Sequence, residues 1–153
     1  MVFSMNLKKV MTTDVISLNI GGKTKEEVIK NLLDILVKTG KIKDPAKALE
    51  AILERERKMS TGMQNGIAIP HAKTDTVDQL IACIGISKNG IDFNSLDGAA
   101  SSIFIMTLSP TDKTGPHIQF LAEIGRLLQD EEAREKVLNA KTPGEVLDIF
   151  VKG

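Results

Sequence analysis

Gly66-Ile67-Ala68-Ile69-Pro70-His71-Ala72-Lys73 is the stretch from which the rest of the chain is read. Ile67-Ala68-Ile69 is a short apolar run, and Pro70 ends it, because the ring removes an N–H and forces the preceding residue into extended backbone. The pattern predicts a short strand with His71 on a loop just past it. Downstream, Gln79 to Ser87 and Ile103 to Leu108 are two further strand candidates. Asn89-Gly90 is a turn signal, and Ile91 to Gly98 reads as a turn-rich connection.

Upstream the period changes. After a β-like run from Asp14 to Ile20, Thr24 is followed three residues later by Glu27, the spacing of a capping box. A helix from Lys25 to Lys38 follows, with Val28, Leu32, Ile35 and Leu36 on one face and Gly40 behind it. Asp44-Pro45 opens a second helix that turns Leu49, Ile52 and Leu53 inward and runs into Glu54-Arg55-Glu56-Arg57-Lys58. Ser60 to Gly66 is a glycine-containing loop. The C-terminal third is helical: Pro116 to Gln129, Glu131 to Asn139, and a last helix announced by Thr142-Pro143-Gly144-Glu145. Strands interleaved with helices, without strict alternation, give an α/β fold with a mixed β-sheet flanked by helices.

The chain has 153 residues, 42% of them hydrophobic, which suits one domain over 1–153 with a single substantial core. Lys plus Arg and Asp plus Glu both total 20, so no long-range field draws it to nucleic acid or an anionic membrane. Its only aromatic residues are five Phe, too few for base-stacking platforms. No apolar run approaches the roughly 18 residues of a membrane span, and no signal-peptide core follows the N-terminus. A cytoplasmic protein without membrane insertion is the expectation. Cys83, alone and inside the apolar run Leu80 to Ile86, reads as a buried structural thiol.

Gly21-Gly22-Lys23-Thr24 lies between a strand and a helix, where a phosphate loop would sit. The position for the first glycine of such a loop holds Ser17, and a capping box already accounts for Thr24 and Glu27. The two histidines, His71 and His117, stand 46 positions apart with no other His or Cys cluster, so no metal site is expected. No Gly-x-Ser-x-Gly elbow supports a serine hydrolase.

His71, on a scaffolded loop, is either a neutral nucleophile near pH 7 or a surface or capping histidine. His117 shares a helical face with Leu121, Ile124 and Leu128 and falls in the first turn, where free N–H groups favour an anion. It reads either as a half-buried histidine with one hydrogen bond or as a donor to a phosphoryl group at His71. On the helical wheel Arg55 flanks the apolar face while Glu56 sits near its middle. Arg55 taken alone is a solvated helix-end charge; Glu56 is a partner that fixes the following loop through Ser60 or Thr61.

The segments Arg55 to Gly62 and Asn65 to Lys73 resemble the active-site signature of the fructose/mannitol-type IIA components (type-2 IIA) of the bacterial sugar phosphotransferase system. Gly90-Ile91-Asp92-Phe93, Leu96-Asp97-Gly98 and His117 to Leu121 agree with it, and the likeness runs from about Lys9 to Val151. The resemblance implies a phosphocarrier that needs no cofactor. His71 would take a phosphoryl group from the phosphohistidine carrier HPr and pass it to a IIB component. His117 matches the family's second active-site histidine, and Arg55, sixteen residues before His71, matches its active-site arginine. Ala72 stands where some members have glycine. Met59-Ser60-Thr61-Gly62 also resembles the nitrogen-regulatory, PtsN-like members, in which the phosphorylation state of this histidine would control binding to regulatory protein targets. A relative that binds a small ligand without phosphorylation is a weaker reading, opposed by the intact His71, His117 and Arg55.

Overall fold

The computed structural model describes residues 10–152. Five strands, β1 (Ile16–Ser17), β2 (Ile67–Ala68), β3 (His71–Lys73), β4 (Ile81–Ile91) and β5 (Ser101–Ser109), form one mixed sheet. Five helices flank it: α1 (Lys25–Val37), α2 (Pro45–Lys58), α3 (Thr114–Leu128), α4 (Glu131–Asn139) and α5 (Pro143–Lys152). This is the mixed α/β architecture predicted from the sequence. Among the described residues no helix is long and apolar enough to cross a membrane.

The helix starts follow the predicted chemistry. Thr24 Oγ1 accepts from Glu27 N at 3.2 Å, and Glu27 Oε1 reaches back to Lys23 N at 2.7 Å. The glycine-rich segment before α1 is thus a capping device. Asp44 caps α2 through Lys47 N, with Pro45 as first helical residue. Thr142 and Glu145 cap α5 in the same way, the carboxylate accepting from Lys141 N. Each cap is worth about 1 kcal/mol.

β4 and β5 are an antiparallel pair at the centre, β1 joins β4 in parallel, and β2 and β3 both join β5 in parallel. Ile67 pairs with Ile103 and His71 with Thr107, the same offset of 36, so β2 and β3 are one edge strand interrupted at Ile69-Pro70. Pro70 has no N–H to give the ladder, yet its carbonyl still accepts from Thr107 N at 3.0 Å. The ladder therefore resumes at once, and His71 opens β3 instead of lying on the predicted loop.

Successive residues of the sheet face opposite layers. Cys83, Phe104, Met106 and Leu108 pack under α1 and α2 with Val28, Leu32, Leu36 and Ile52. Ala82, Ile84, Ile103 and Ile105 pack under the C-terminal helices with Phe120, Ile124, Leu128, Val137 and Phe150. Each fully buried Ile, Leu or Phe stabilises the fold by roughly 1.5–3 kcal/mol. Cys83 is buried, its thiol donating to Leu32 O, and desolvation raises its pKa far above the usual thiol range.

Three predicted boundaries shift. The Asp14–Ile20 run is a 3-10 turn over Thr13–Val15 followed by only two strand residues, since the Thr12 hydroxyl bonds Asp14 and curls the chain. Asn89-Gly90 does not end its strand: Gly90, at φ +75°, takes up a register irregularity between Ile86 and Ile91, and β4 continues to pair Ile91 with Ser101. α3 starts at Thr114, two residues before the predicted Pro116, because a proline in the first turn removes an N–H that the helix does not use.

Candidate functional site

The site is built where the interrupted edge strand meets the C-terminal end of α2 and the start of α3. His71, Lys73, Arg55, Thr114, His117 and Ile118 line a cavity of about 500 Å³ there. The three residues singled out by the resemblance, 46 and 16 positions from one another along the chain, are thus brought to one place.

His71 and Lys73 point to the α3 side of the sheet, because Ala72 between them packs into the opposite layer. His71 Nδ1 lies 2.7 Å from Ile69 O. A carbonyl can only accept, so Nδ1 carries the proton and Nε2 the lone pair. Burial lowers the His71 pKa below 6.5, the bond to Ile69 opposes that shift, and the Arg55 charge adds to it. The ring is therefore neutral at pH 7.

His117, the fourth residue of α3, is 3% exposed. Its ring meets that of His71 edge-on, with centroids 5.4 Å apart at 87°. Burial first, then the proximity of His71 and Lys73, lowers its pKa to about 4. Neither of its ring nitrogens has a hydrogen-bond partner among the described residues. Lys73 ties this strand to the helix start, its Nζ donating to Thr114 Oγ1 at 2.7 Å.

Arg55 stands at the end of α2, one Nη donating to Met59 O at 2.7 Å. That bond holds the guanidinium beside the cavity and satisfies a carbonyl just past the helix end, where carbonyls lack intrahelical partners. The neighbouring Glu56 points into the protein and is buried. Its two oxygens accept from Thr61 Oγ1 at 2.6 Å and from Thr61 N at 2.8 Å. Thr61 O in turn accepts from Ile69 N at 3.1 Å, so Glu56 fixes the loop against the residues leading into His71. Ser60 makes a different connection: its hydroxyl donates to Phe93 O and accepts from Gly62 N at 3.0 Å. Gly62 is required here, since a Cβ would come within 2.8 Å of Phe93 O.

Residue spacing did not reveal three contributors. Lys25 Nζ pairs with Glu56 Oε2 at 2.8 Å and lies over the Phe93 ring, so α1 supplies the counter-charge for the buried carboxylate. Its capping-box position had disguised it as an ordinary first-turn residue. Asp97 accepts from Asn65 N and Ala99 N, which lowers its pKa and staples the 60–66 loop to the 92–100 loop. Lys73, two residues past His71, joins the edge strand to Thr114 at the start of α3.

A neutral histidine with a free Nε2, a second neutral histidine at ring-contact distance and a guanidinium make a site that can hold a phosphoryl group on nitrogen. Comparison with known proteins gives the family. The chain is 39% identical over 146 residues to the fructose-specific EIIABC component of Bacillus subtilis, covering 95% of this chain but 23% of that larger protein. It is 37% identical to the fructose-specific EIIA component of Haloferax volcanii, covering 96% of both chains. Among solved structures, the nitrogen regulatory protein IIA-Ntr of Neisseria meningitidis superposes with a TM-score of 0.87 at 23% identity, covering 93% of this chain and 97% of that one. Enzyme IIA-mannitol of Escherichia coli, in complex with phosphorylated enzyme IIB-mannitol, superposes with a TM-score of 0.81 at 24% identity, covering 94% and 98%. The family model of the phosphoenolpyruvate-dependent sugar phosphotransferase system, EIIA 2, matches residues 9–153, and the chain belongs to that family.

Proposed function

We propose that this chain is a phosphocarrier of the sugar phosphotransferase system, accepting a phosphoryl group from phospho-HPr on His71 and passing it to a IIB component in the cytoplasm. The observation that carries this reading is the Nδ1–H···O=C bond from His71 to Ile69, which leaves Nε2 with its lone pair in a ring that lines the cavity.

The Nε2 lone pair attacks the phosphorus of the donor phosphohistidine, and the P–N bond of the donor breaks with its electron pair returning to the donor ring. His71 keeps Nδ1–H throughout, so the product ring is cationic and Ile69 O stabilises it. Onward transfer then expels a neutral imidazole, a good leaving group, which makes the exchange reversible with positioning and charge stabilisation as the main requirements. Arg55 offsets the charge on the phosphoryl oxygens. His117, neutral at pH 7, donates its one N–H to a phosphoryl oxygen, which relieves a group that is otherwise buried and unpaired.

The fructose-specific relatives, 37% and 39% identical over nearly the whole chain, favour sugar uptake over a regulatory role, for which the nitrogen regulatory relatives are 26% identical over 96% of the chain or 32% identical over 66% of it. The test is incubation with phosphoenolpyruvate, enzyme I and HPr, followed by intact mass. We expect one acid-labile phosphoryl group on the wild type and none on His71→Ala. An unmodified wild type, or a His71→Ala variant modified to the same level, overturns the reading.

A further inference from the structure

Three buried side-chain polar atoms lack a hydrogen-bond partner among the described residues: both ring nitrogens of His117 and Thr107 Oγ1. Buried polar groups left unpaired are costly and uncommon in folded proteins. Both residues neighbour His71, Thr107 in the ladder and His117 by ring contact. Thr107 is the register partner of His71 across the β3–β5 ladder, and residues paired in this way turn their side chains to the same face. That face carries Ile103 and Ile105 and is covered by Phe120 and Ile124 of α3, the helix that bears His117. Thr107 is fully buried beside His71 in the ladder, on the face that the helix of His117 covers, and its hydroxyl has no hydrogen-bond partner among the described residues.

A neutral imidazole has one N–H and one lone pair. For His117 to grip a phosphoryl oxygen, the nitrogen facing it must carry the proton. The opposite nitrogen then presents a lone pair, which requires a donor. Lys73, the nearby cation, is directed to Thr114 Oγ1, whereas a threonine hydroxyl rotates freely and can donate.

Resting on His71 as the phosphorylated residue, we infer that Thr107 is a positioning residue for His117: its hydroxyl donates to the lone-pair nitrogen and so fixes the proton on the nitrogen that holds the phosphoryl group. In the unloaded protein neither group is paired. An arriving phosphoryl oxygen supplies the second partner, and a small ring rotation then satisfies all three atoms together.

The experiment compares wild type, Thr107→Val and Thr107→Ser, labelled with ¹⁵N-histidine, before and after phosphorylation by phosphoenolpyruvate, enzyme I and HPr. In loaded wild type the His117 ring shows one protonated and one unprotonated nitrogen; in Thr107→Val the two tautomers mix. Onward transfer slows about tenfold in Thr107→Val, the scale of one lost hydrogen bond, and Thr107→Ser recovers it. Thermal stability of unloaded Thr107→Val does not fall, because valine keeps the shape and removes an orphaned hydroxyl. Should valine disturb the fold, Thr107→Cys, a weak donor of similar size, carries the same expectation. A loaded Thr107→Val with wild-type tautomer and wild-type transfer overturns this inference alone. A wild type that takes no phosphoryl group overturns the phosphocarrier reading and this inference with it.

Discussion

At the residue scale, two histidines with the same side chain are given different work by their surroundings. His71 is part-exposed and keeps a strong bond to Ile69 O, so its basicity falls below the ordinary 6.5 but its free nitrogen remains a nucleophile. Phosphoryl acceptance therefore loses rate only below pH 6.5, as Nε2 takes up a proton, and a pH–rate profile with its acid limb above 6.5 would contradict this. His117 is buried with a pKa of about 4. Between about pH 6.5 and 4 the unfolded chain binds a proton at this ring that the folded chain does not, so stability rises with pH across that window. The deficit is complete below pH 4 and amounts to about 3 kcal/mol from the difference between the two pKa values. Urea unfolding at pH 7 and pH 4.5 measures it. His117→Gln should lose less stability than wild type over that interval, and an equal loss in both proteins would exclude His117 as the source.

At the scale of elements, the loop from Ser60 to Gly66 is held from both sides by side chains that arrive on helices. Glu56 reaches it from α2 and Lys25 reaches Glu56 from α1, a chain of contacts that ends at Ile69 and hence at the His71 ring. Removing the cation leaves a carboxylate buried without its counter-charge. Lys25→Met should therefore cost about 3 kcal/mol, and adding Glu56→Gln, which cancels the orphaned charge, should return part of it. Urea denaturation of the two variants checks this; a Lys25→Met protein as stable as wild type would mean that Glu56 needs no partner. This network also marks the limit of what the sequence discloses. The wheel puts Glu56 inward and Arg55 at its flank because both depend on one helix and its own period, and the caps of α1, α2 and α5 are equally local. Lys25 could not be read as the partner of Glu56, since that contact joins residues 31 positions apart through the packing of two helices. The local sequence places His71 on a loop for the same reason: Pro70 is a valid local stop signal, and only the neighbouring β5, which supplies Thr107 N to the proline carbonyl, carries the strand through it.

At the scale of the whole molecule, two apolar layers are closed by the sheet, and little large apolar surface is left outside them. Among the described residues the exposed large hydrophobics are Met59, Met63, Leu96 and Ile118. Scattered single residues of this kind need no explanation, but Met59 and Ile118 flank the cavity that His71 and His117 line, and Met63 and Leu96 sit on the loops next to it in the chain of contacts. Met59 gives its carbonyl to Arg55, Leu96 N bonds Gly62 O in the loop that also holds Met63, and Ile118 lines the cavity itself. With net charge zero, broad steering by the protein's own field is weak, and a protein partner must be held by contacts local to the cavity. Ile118 is 61% exposed and packs little into the fold, so replacing it removes partner contact and leaves stability within about 0.5 kcal/mol. Ile118→Gln keeps the helix and adds no charge. It should raise the KM for phospho-HPr or for the IIB acceptor roughly tenfold while kcat stays near wild type, because uniform binding is lost and the reacting groups are untouched. A fall in kcat at unchanged KM would instead assign Ile118 to the ordering of His117, one residue before it on the same helix turn.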